Sequence, residues 1–446
     1  MKLHGNMVIN SAGHLEIGGC DTVQLAREFG TPLWVMDENY IRQQCRLFKK
    51  AFIDNSGGDA AYASKAFLTQ AMAAVIKEEG LSLDVVSGGE LFTALQAGFP
   101  ARRIYFHGNN KSREELKMAI QSRVGRIVVD NFYELTLLEE VIHEIGDEPV
   151  PVMLRIAPGV EAHTHEYVQT GQEDTKFGFS LASGQALEAG KRVLKSEFLT
   201  LKGIHCHIGS QIFETDSFAA AAEIMIDFIA QIYKKTGYLI GELNLGGGFG
   251  IYYSQGDAPK TIEEYAENII SAATEYAEMY GVPVPRIIVE PGRSIVGPAG
   301  TTLYTVGSCK DIPGIRKYIS VDGGMADNIR TALYGAVYEG IIANKALHEP
   351  VEIVTVAGKC CESGDILIKD ISLPLVEPGD ILAISCTGAY GYTMASNYNR
   401  LPRPAVVLVR DGQADIIVRR ETYEDLLRQE AVPRRLRDNG NSFKKE

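Results

Sequence analysis

The chain has 446 residues, 45% hydrophobic and 23% charged, which suits a globular protein of two domains better than one core. Its 44 basic and 57 acidic residues leave a net charge of −13, and no lysine- or arginine-rich block offsets it, which argues against a nucleic-acid binder. No apolar run approaches the ~20 residues of a membrane span, and seven scattered cysteines without a CxxC pair argue against a disulfide framework or a cysteine-rich zinc module.

Residues 1–30, with MVINSAGHLEIGG, show no signal-peptide core, so a cytoplasmic location is expected. They read as short strands and are expected to join a later sheet. From residue 60 onward, eight apolar or β-branched runs recur. They are AAYASK (60–65), LDVVSGGE (83–90), IYFHGNN (104–110), RIVVDN (126–131), VMLRIAPG (152–159), GIHCHIGS (203–210), ELNLGGGFG (242–250) and RIIVEPGR (286–293). Segments with helical spacing separate most of them, and Asn131 is placed to cap the fourth helix. Eight β-α alternations predict a (β/α)8 barrel over residues 31–295. Beyond 296 the pattern changes to short alternating strands such as KYISVDGG and PVEIVTVAGK. A second, all-β domain is therefore expected from residues 296–446 together with 1–30, its last ten or so residues loose.

The chemistry-bearing residues fall at the strand ends, where this fold keeps its sites. Lys65 ends the first strand. A partly desolvated amine there is expected to have a depressed pKa and to attack a carbonyl, although a lysine at a strand end can also simply open a surface loop. Gly246, Gly247 and Gly248 follow the seventh strand, and three such residues let backbone N–H groups approach a phosphate. The turn Glu290-Pro291-Gly292-Arg293 ends the eighth strand. It offers an exposed N–H, a guanidinium for an anion and a carboxylate able to face a bound ring. His205 and His207 share one strand face. With His163 and His165 they allow a rival reading, a zinc-dependent barrel hydrolase. A flat imidazole against a cofactor ring, with Ser210 on its phosphate, fits this pattern better. In CCESGD (360–365), a thiol next to an acid could donate a proton and meet an ammonium, or be a small buried residue and a turn.

Taken in order, these motifs resemble the fold-type III pyridoxal-phosphate-dependent decarboxylases of basic amino acids. GTPLWVMDENYIR (30–42), YASKA, LDVVSGGEL, HCHIGSQI, LGGGFGI, EPGRSIVG, CESGD and GAYGYTMASNYN (388–399) carry the resemblance over nearly the whole chain. HTHEYVQTGQEDTKFGF (163–179) is more selective and resembles the diaminopimelate branch. The resemblance implies pyridoxal 5'-phosphate as cofactor and no metal. Lys65 would carry the cofactor, His207 would stack on its ring, and Glu290 would pair with its nitrogen, with Asp84 and Glu90 in support. Ser210, Gly246, Gly247, Gly248, the turn of Glu290, Pro291, Gly292 and Arg293, and Tyr390 would hold the phosphate.

Arg293, Arg330 and Tyr334 would take a distal carboxylate of the substrate, with Tyr390 close by. Cys361 and Glu362 would serve the site of a second protomer in a homodimer. The implied reaction is decarboxylation of meso-2,6-diaminopimelate to L-lysine, the last step of lysine synthesis. Alternatives are a decarboxylase of carboxynorspermidine or another basic amino acid, or a non-catalytic regulator on the same scaffold. Ile329 and Thr331 depart from the prolines that often flank the second arginine in the family, which bears on selectivity at Arg330.

Overall fold

The computed structural model describes residues 1–146, 148–159 and 175–437. The loose tail end expected beyond 437 and most of the selective 163–179 segment, including His163 and His165, lie outside these residues.

All eight anticipated strands are present, and they close. They are β1 (Asp59–Ala63), β2 (Ser82–Val85), β3 (Ile104–Phe106), β4 (Arg126–Val129), β5 (Val150–Ala157), β6 (Leu199–His205), β7 (Glu242–Asn244) and β8 (Arg286–Val289). Each pairs in parallel with the next, and β8 returns to β1 through Ile288 opposite Asp59. Helices α1 (Gln70–Glu79), α2 (Gly88–Gln96), α3 (Arg113–Gln121), α4 (Phe132–Ile145), α5 (Gln185–Lys195), α6 (Asp216–Thr236) and α7 (Ile262–Tyr280) surround the barrel. Their starts are fixed locally. Asn131 caps α4 by accepting from Glu134 N at 3.0 Å, and Ser112 and Thr261 form capping boxes with Glu115 and Glu264.

The barrel is packed inside rather than hollow. Ala61, Tyr105, Val128, Met153 and Ile288 make a separate buried cluster across its interior. Below them, buried Asp59 accepts from Ser82 and from the Tyr105 hydroxyl, while Arg126 forms two bonds to Glu242. Open space remains at the C-terminal ends of the strands.

The second domain's main sheet contains β9 (Gly300–Ile312), β10 (Arg316–Val321), β12 (Glu352–Ala357), β13 (Ile366–Leu373), β15 (Ala405–Arg410) and β16 (Gln413–Val418), with β11 (Gly340–Ile342) and β14 (Ile381–Ile384) paired alongside β9. One expectation needs adjustment. The early segment that enters this sheet is Leu33–Asp37, which pairs antiparallel with β9 and parallel with β15. All five of its side chains are buried, as suits a strand covered on both faces. Residues before 30 form their own three-stranded sheet and share a hydrophobic core with the main one through Leu15, Ile17, Leu33, Val35 and Val407. The segment after β14 leans over the barrel mouth, where Tyr390 N donates to Ala66 O at 2.9 Å.

Candidate active site

The strand ends and this overhanging segment enclose a cavity of about 810 Å³. Lys65, Asp84, His207, Ser210, Gly247, Gly248, Glu290, Gly292, Arg293, Arg330, Tyr334 and Tyr390 all line it. Lys65 sits in the single turn Ser64–Ala66 that follows β1. Protein surrounds it, yet its side chain faces the open volume of the cavity. Its amine departs from expectation. Burial opposes the positive charge, but Tyr390, Asp84 and Glu290 outweigh burial and hold the pKa above its usual value.

Glu290 forms the floor. Its carboxylate accepts from Asn244 Nδ2 at 2.7 Å, lies 3.2 Å from His205 Nε2, and lies 2.8 Å from His107 Nε2. Burial favours its neutral form, but His107 and His205 prevail and hold it well below the usual carboxylate range. His205 itself is pushed down to about 4, chiefly by burial. The neutral ring with its proton on Nε2 is therefore the donor. Asp84, 3.7 Å from His107 Nε2, behaves oppositely. Burial, with Glu290 adding, pushes it up to about 6 against the pull of His107 and Lys65. Two neighbouring carboxyl groups are thus driven apart in pKa. Glu90 supports the mouth from outside, accepting from Ser64 Oγ at 2.8 Å and Val86 N at 2.7 Å.

The glycine run sits where β7 and β8 converge. Gly246 N donates to Asn244 Oδ1 at 2.9 Å, and Gly247 N donates to His207 Nδ1 at 3.2 Å. A Cβ on Gly247 would meet Glu290 O at 2.2 Å, so no side chain fits there. His207 is held neutral, well below its usual pKa, by burial and then by the Lys65 and Arg155 charges. The metal-pair reading of positions 205 and 207 fails geometrically, because His205 turns to Glu290 while His207 turns to Gly247. Among the described residues, His107, His205 and Glu290 have ligand atoms within 4.8 Å of one another. That trio is already joined as one carboxylate–imidazole cluster, with Asn244 completing it.

Arg293 opens the short helix Arg293–Val296 and donates to Ser210 Oγ through Nε at 3.3 Å and Nη2 at 3.0 Å. Arg330 donates to Ala389 O at 3.4 Å, and its buried Nε has no partner among the described residues. Neither arginine has a carboxylate within 4.0 Å among the described residues. Cys361 and Glu362 are exposed and do not line this cavity; Cys361 N donates to Asn399 Oδ1 at 2.7 Å. The sequence reading missed His107, Asn244, Arg155 and Tyr253, all placed at the site by the fold.

A barrel of this kind, with a strand-end amine, a buried anionic carboxylate and a glycine-lined cradle, has the form of a pyridoxal-phosphate enzyme. The chain matches the family described as "Pyridoxal-dependent decarboxylase, pyridoxal binding domain" over residues 38–297. It is 58% identical to the diaminopimelate decarboxylase of Bacillus subtilis over 429 residues, covering 96% of this chain and 98% of the relative. The diaminopimelate decarboxylase of Halalkalibacterium halodurans is 54% identical over the same shares of each chain. A crystal structure of diaminopimelate decarboxylase from M. jannaschii in co-complex with L-lysine superposes with a TM-score of 0.90 at 38% identity, covering 96% of this chain and 98% of that one. The chain belongs to the pyridoxal-dependent decarboxylases, and within them to the diaminopimelate decarboxylase family. It is a carboxy-lyase of that class, with pyridoxal 5'-phosphate as its cofactor.

The residues present fit that cofactor on their own chemistry. An amine faces the cavity, an ionised carboxylate sits at its floor, and buried Asp84 Oδ1 has no hydrogen-bond partner among the described residues.

Proposed function

We propose that this protein removes one carboxyl group from meso-2,6-diaminopimelate to give L-lysine. The observation that carries this reading is the pair of buried arginines, Arg293 and Arg330, lining the cavity without a carboxylate partner among the described residues. Buried cations without an anion are costly, and a substrate with a second carboxylate supplies the missing charge. A substrate lacking it leaves Arg330, which has no other assigned anion, uncompensated, a strong basis for rejection.

When bound, pyridoxal phosphate supplies an electron sink for the pair left by departing carbon dioxide. The chain's own groups do the rest. Lys65 would hold the cofactor through its amine. Glu290, kept ionised by His107, His205 and Asn244, would hold a proton at the ring nitrogen. His207 would stack on the ring, with Asp84 and Glu90 supporting its surroundings. Ser210, Gly248, Gly292, Arg293 and Tyr390 would offer donors to the phosphate, with Gly246, Gly247 and Pro291 shaping the cradle around it. Arg293, Arg330 and Tyr334 orient the distal carboxylate, with Tyr390 beside them.

Cys361 and Glu362, exposed on this chain, serve the site of a second protomer in a homodimer. There the thiol delivers the proton that replaces the lost carboxylate, and Glu362 meets an ammonium. Seven cysteines, none of them disulfide-bonded, support a cytoplasmic location. The reading is tested by supplying pyridoxal phosphate and measuring carbon dioxide release from meso-diaminopimelate. Release that disappears in Lys65→Ala is expected; no release from cofactor-loaded protein contradicts it.

A further inference from the structure

Arg293 and Arg330 share one partner that no motif marks. Arg293 Nη1 donates to Tyr253 Oη at 2.6 Å, and Arg330 Nη1 donates to the same oxygen at 3.0 Å. Tyr253 is buried and lines the cavity. A phenol oxygen has two acceptor lone pairs and one hydrogen. Taking both guanidiniums uses the acceptors and leaves the hydrogen free for a third group.

Two like charges brought to one atom repel each other, and the low dielectric of the cavity strengthens that repulsion. No carboxylate lies within 4.0 Å of either among the described residues; both guanidiniums lie over the rings of Tyr253 and Tyr390, and the Tyr253 phenol oxygen is the hydrogen-bond acceptor they share. The tyrosine is itself firmly placed. Asp257 Oδ2 accepts from Tyr253 N at 2.9 Å and from Ser254 N at 3.0 Å. The rings of Tyr253 and Tyr338 pack edge to face at 5.5 Å. The neighbouring Tyr252 is tied down as well, its hydroxyl donating to Glu339 at 2.8 Å and its carbonyl accepting from Cys386 Sγ at 3.3 Å.

From this geometry we infer that Tyr253 is a positioning residue for carboxylate recognition: its hydroxyl sets the spacing of Arg293 and Arg330 so that one carboxylate meets both. The inference rests on the proposed function only for the identity of that carboxylate. It separates ligands by a simple rule. L-Lysine keeps a carboxylate for the clamp, whereas cadaverine, the same chain without one, has nothing for it to hold.

The test is binding of L-lysine and of cadaverine to the cofactor-loaded protein, followed by cofactor absorbance, in wild type and Tyr253→Phe. Loss of a charge-assisted hydrogen bond to each arginine should weaken L-lysine by about ten- to a hundredfold and leave cadaverine within about twofold. In turnover, KM for the dicarboxylate should rise more than kcat falls. Cofactor loading of Tyr253→Phe, read from the same absorbance, shows that the variant is folded, and its cadaverine affinity serves as the internal control. Equal losses for both ligands, or L-lysine binding unchanged, would overturn the clamp. Wild-type protein that releases no carbon dioxide from diaminopimelate would instead defeat the proposed function, and the two binding curves would still decide on Tyr253.

Discussion

Glu290 and His205 meet at the floor of the cavity, carboxylate oxygen to Nε2 at 3.2 Å, with both side chains buried. His205 Nδ1 has no partner among the described residues, so its one proton is best placed on Nε2, toward Glu290. The arrangement keeps a buried carboxylate ionised without a formal positive charge on His205.

His205→Phe removes that donor and should raise the Glu290 pKa. The acid limb of the pH profile of kcat/KM should then move to higher pH, because a protonated Glu290 cannot hold the ring nitrogen protonated. Activity near neutral pH should fall about ten- to a hundredfold while cofactor still binds. An unmoved acid limb would show that His205 does not set the state of Glu290.

Lys111 and Glu134 form a buried ion pair at 2.6 Å that links the loop after β3 to the first turn of α4. Lys111 also donates to Gly108 O and Val128 O. Lys111→Met alone should destabilise the fold by about 3–5 kcal/mol, since it strands a buried carboxylate. Lys111→Met combined with Glu134→Leu should recover much of that loss. Urea denaturation of both variants checks this; a double variant as unstable as the single one would contradict it.

His4 Nε2 lies 3.3 Å from Cys386 Sγ, and burial pushes its pKa down to about 4. The unfolded chain takes up a proton near pH 6.5 that the folded chain refuses until about 4. Stability from this residue is therefore complete above pH 6.5 and lost as pH falls toward 4. Against a His4→Gln variant, the wild type should lose on the order of 2 kcal/mol over that window, after allowing for partial solvent screening. Parallel melting curves at pH 7 and pH 4.5 read the difference directly; a constant gap between the two proteins would rule it out.

Much of this site is legible in the sequence because it is built from strand ends. AAYASK, LGGGFG and EPGR each mark where a β-run stops and a turn-forming or charged residue follows, and the barrel brings those ends to one rim. Lys65, Glu290 and the glycines follow from that reasoning. His107, Asn244 and Tyr253 do not, because each lies in a run that looks ordinary locally and gains its role from a partner distant in sequence. Asn244 reads as one polar residue in ELNLGGG until Glu290 is placed beside it across β8. The raised Lys65 pKa had the same origin. Its own surroundings in sequence are apolar, and the groups that reverse the effect of burial, Tyr390, Asp84 and Glu290, come from elsewhere along the chain. Leu33–Asp37 was misplaced for a related reason. A strand buried on both faces carries no alternation to show which sheet it joins.

Cys361 is exposed on its own chain and does not line the cavity. If it serves a second protomer, Lys65→Ala and Cys361→Ala chains, each inactive, should regain activity when mixed. Up to about a quarter of wild-type activity is expected, since random exchange places one intact site in each of the mixed dimers that form half the population. Subunit exchange shown by mass, with no recovered activity, would contradict a shared site.

Selection by Arg293 and Arg330 of a substrate with a second carboxylate is read most directly from kcat/KM for meso-diaminopimelate and L-lysine as decarboxylation substrates of the same cofactor-loaded protein. A preference of at least about 10⁴-fold for diaminopimelate is predicted, as for a site that rejects a substrate leaving buried polar groups unpaired. Comparable turnover of L-lysine would contradict it.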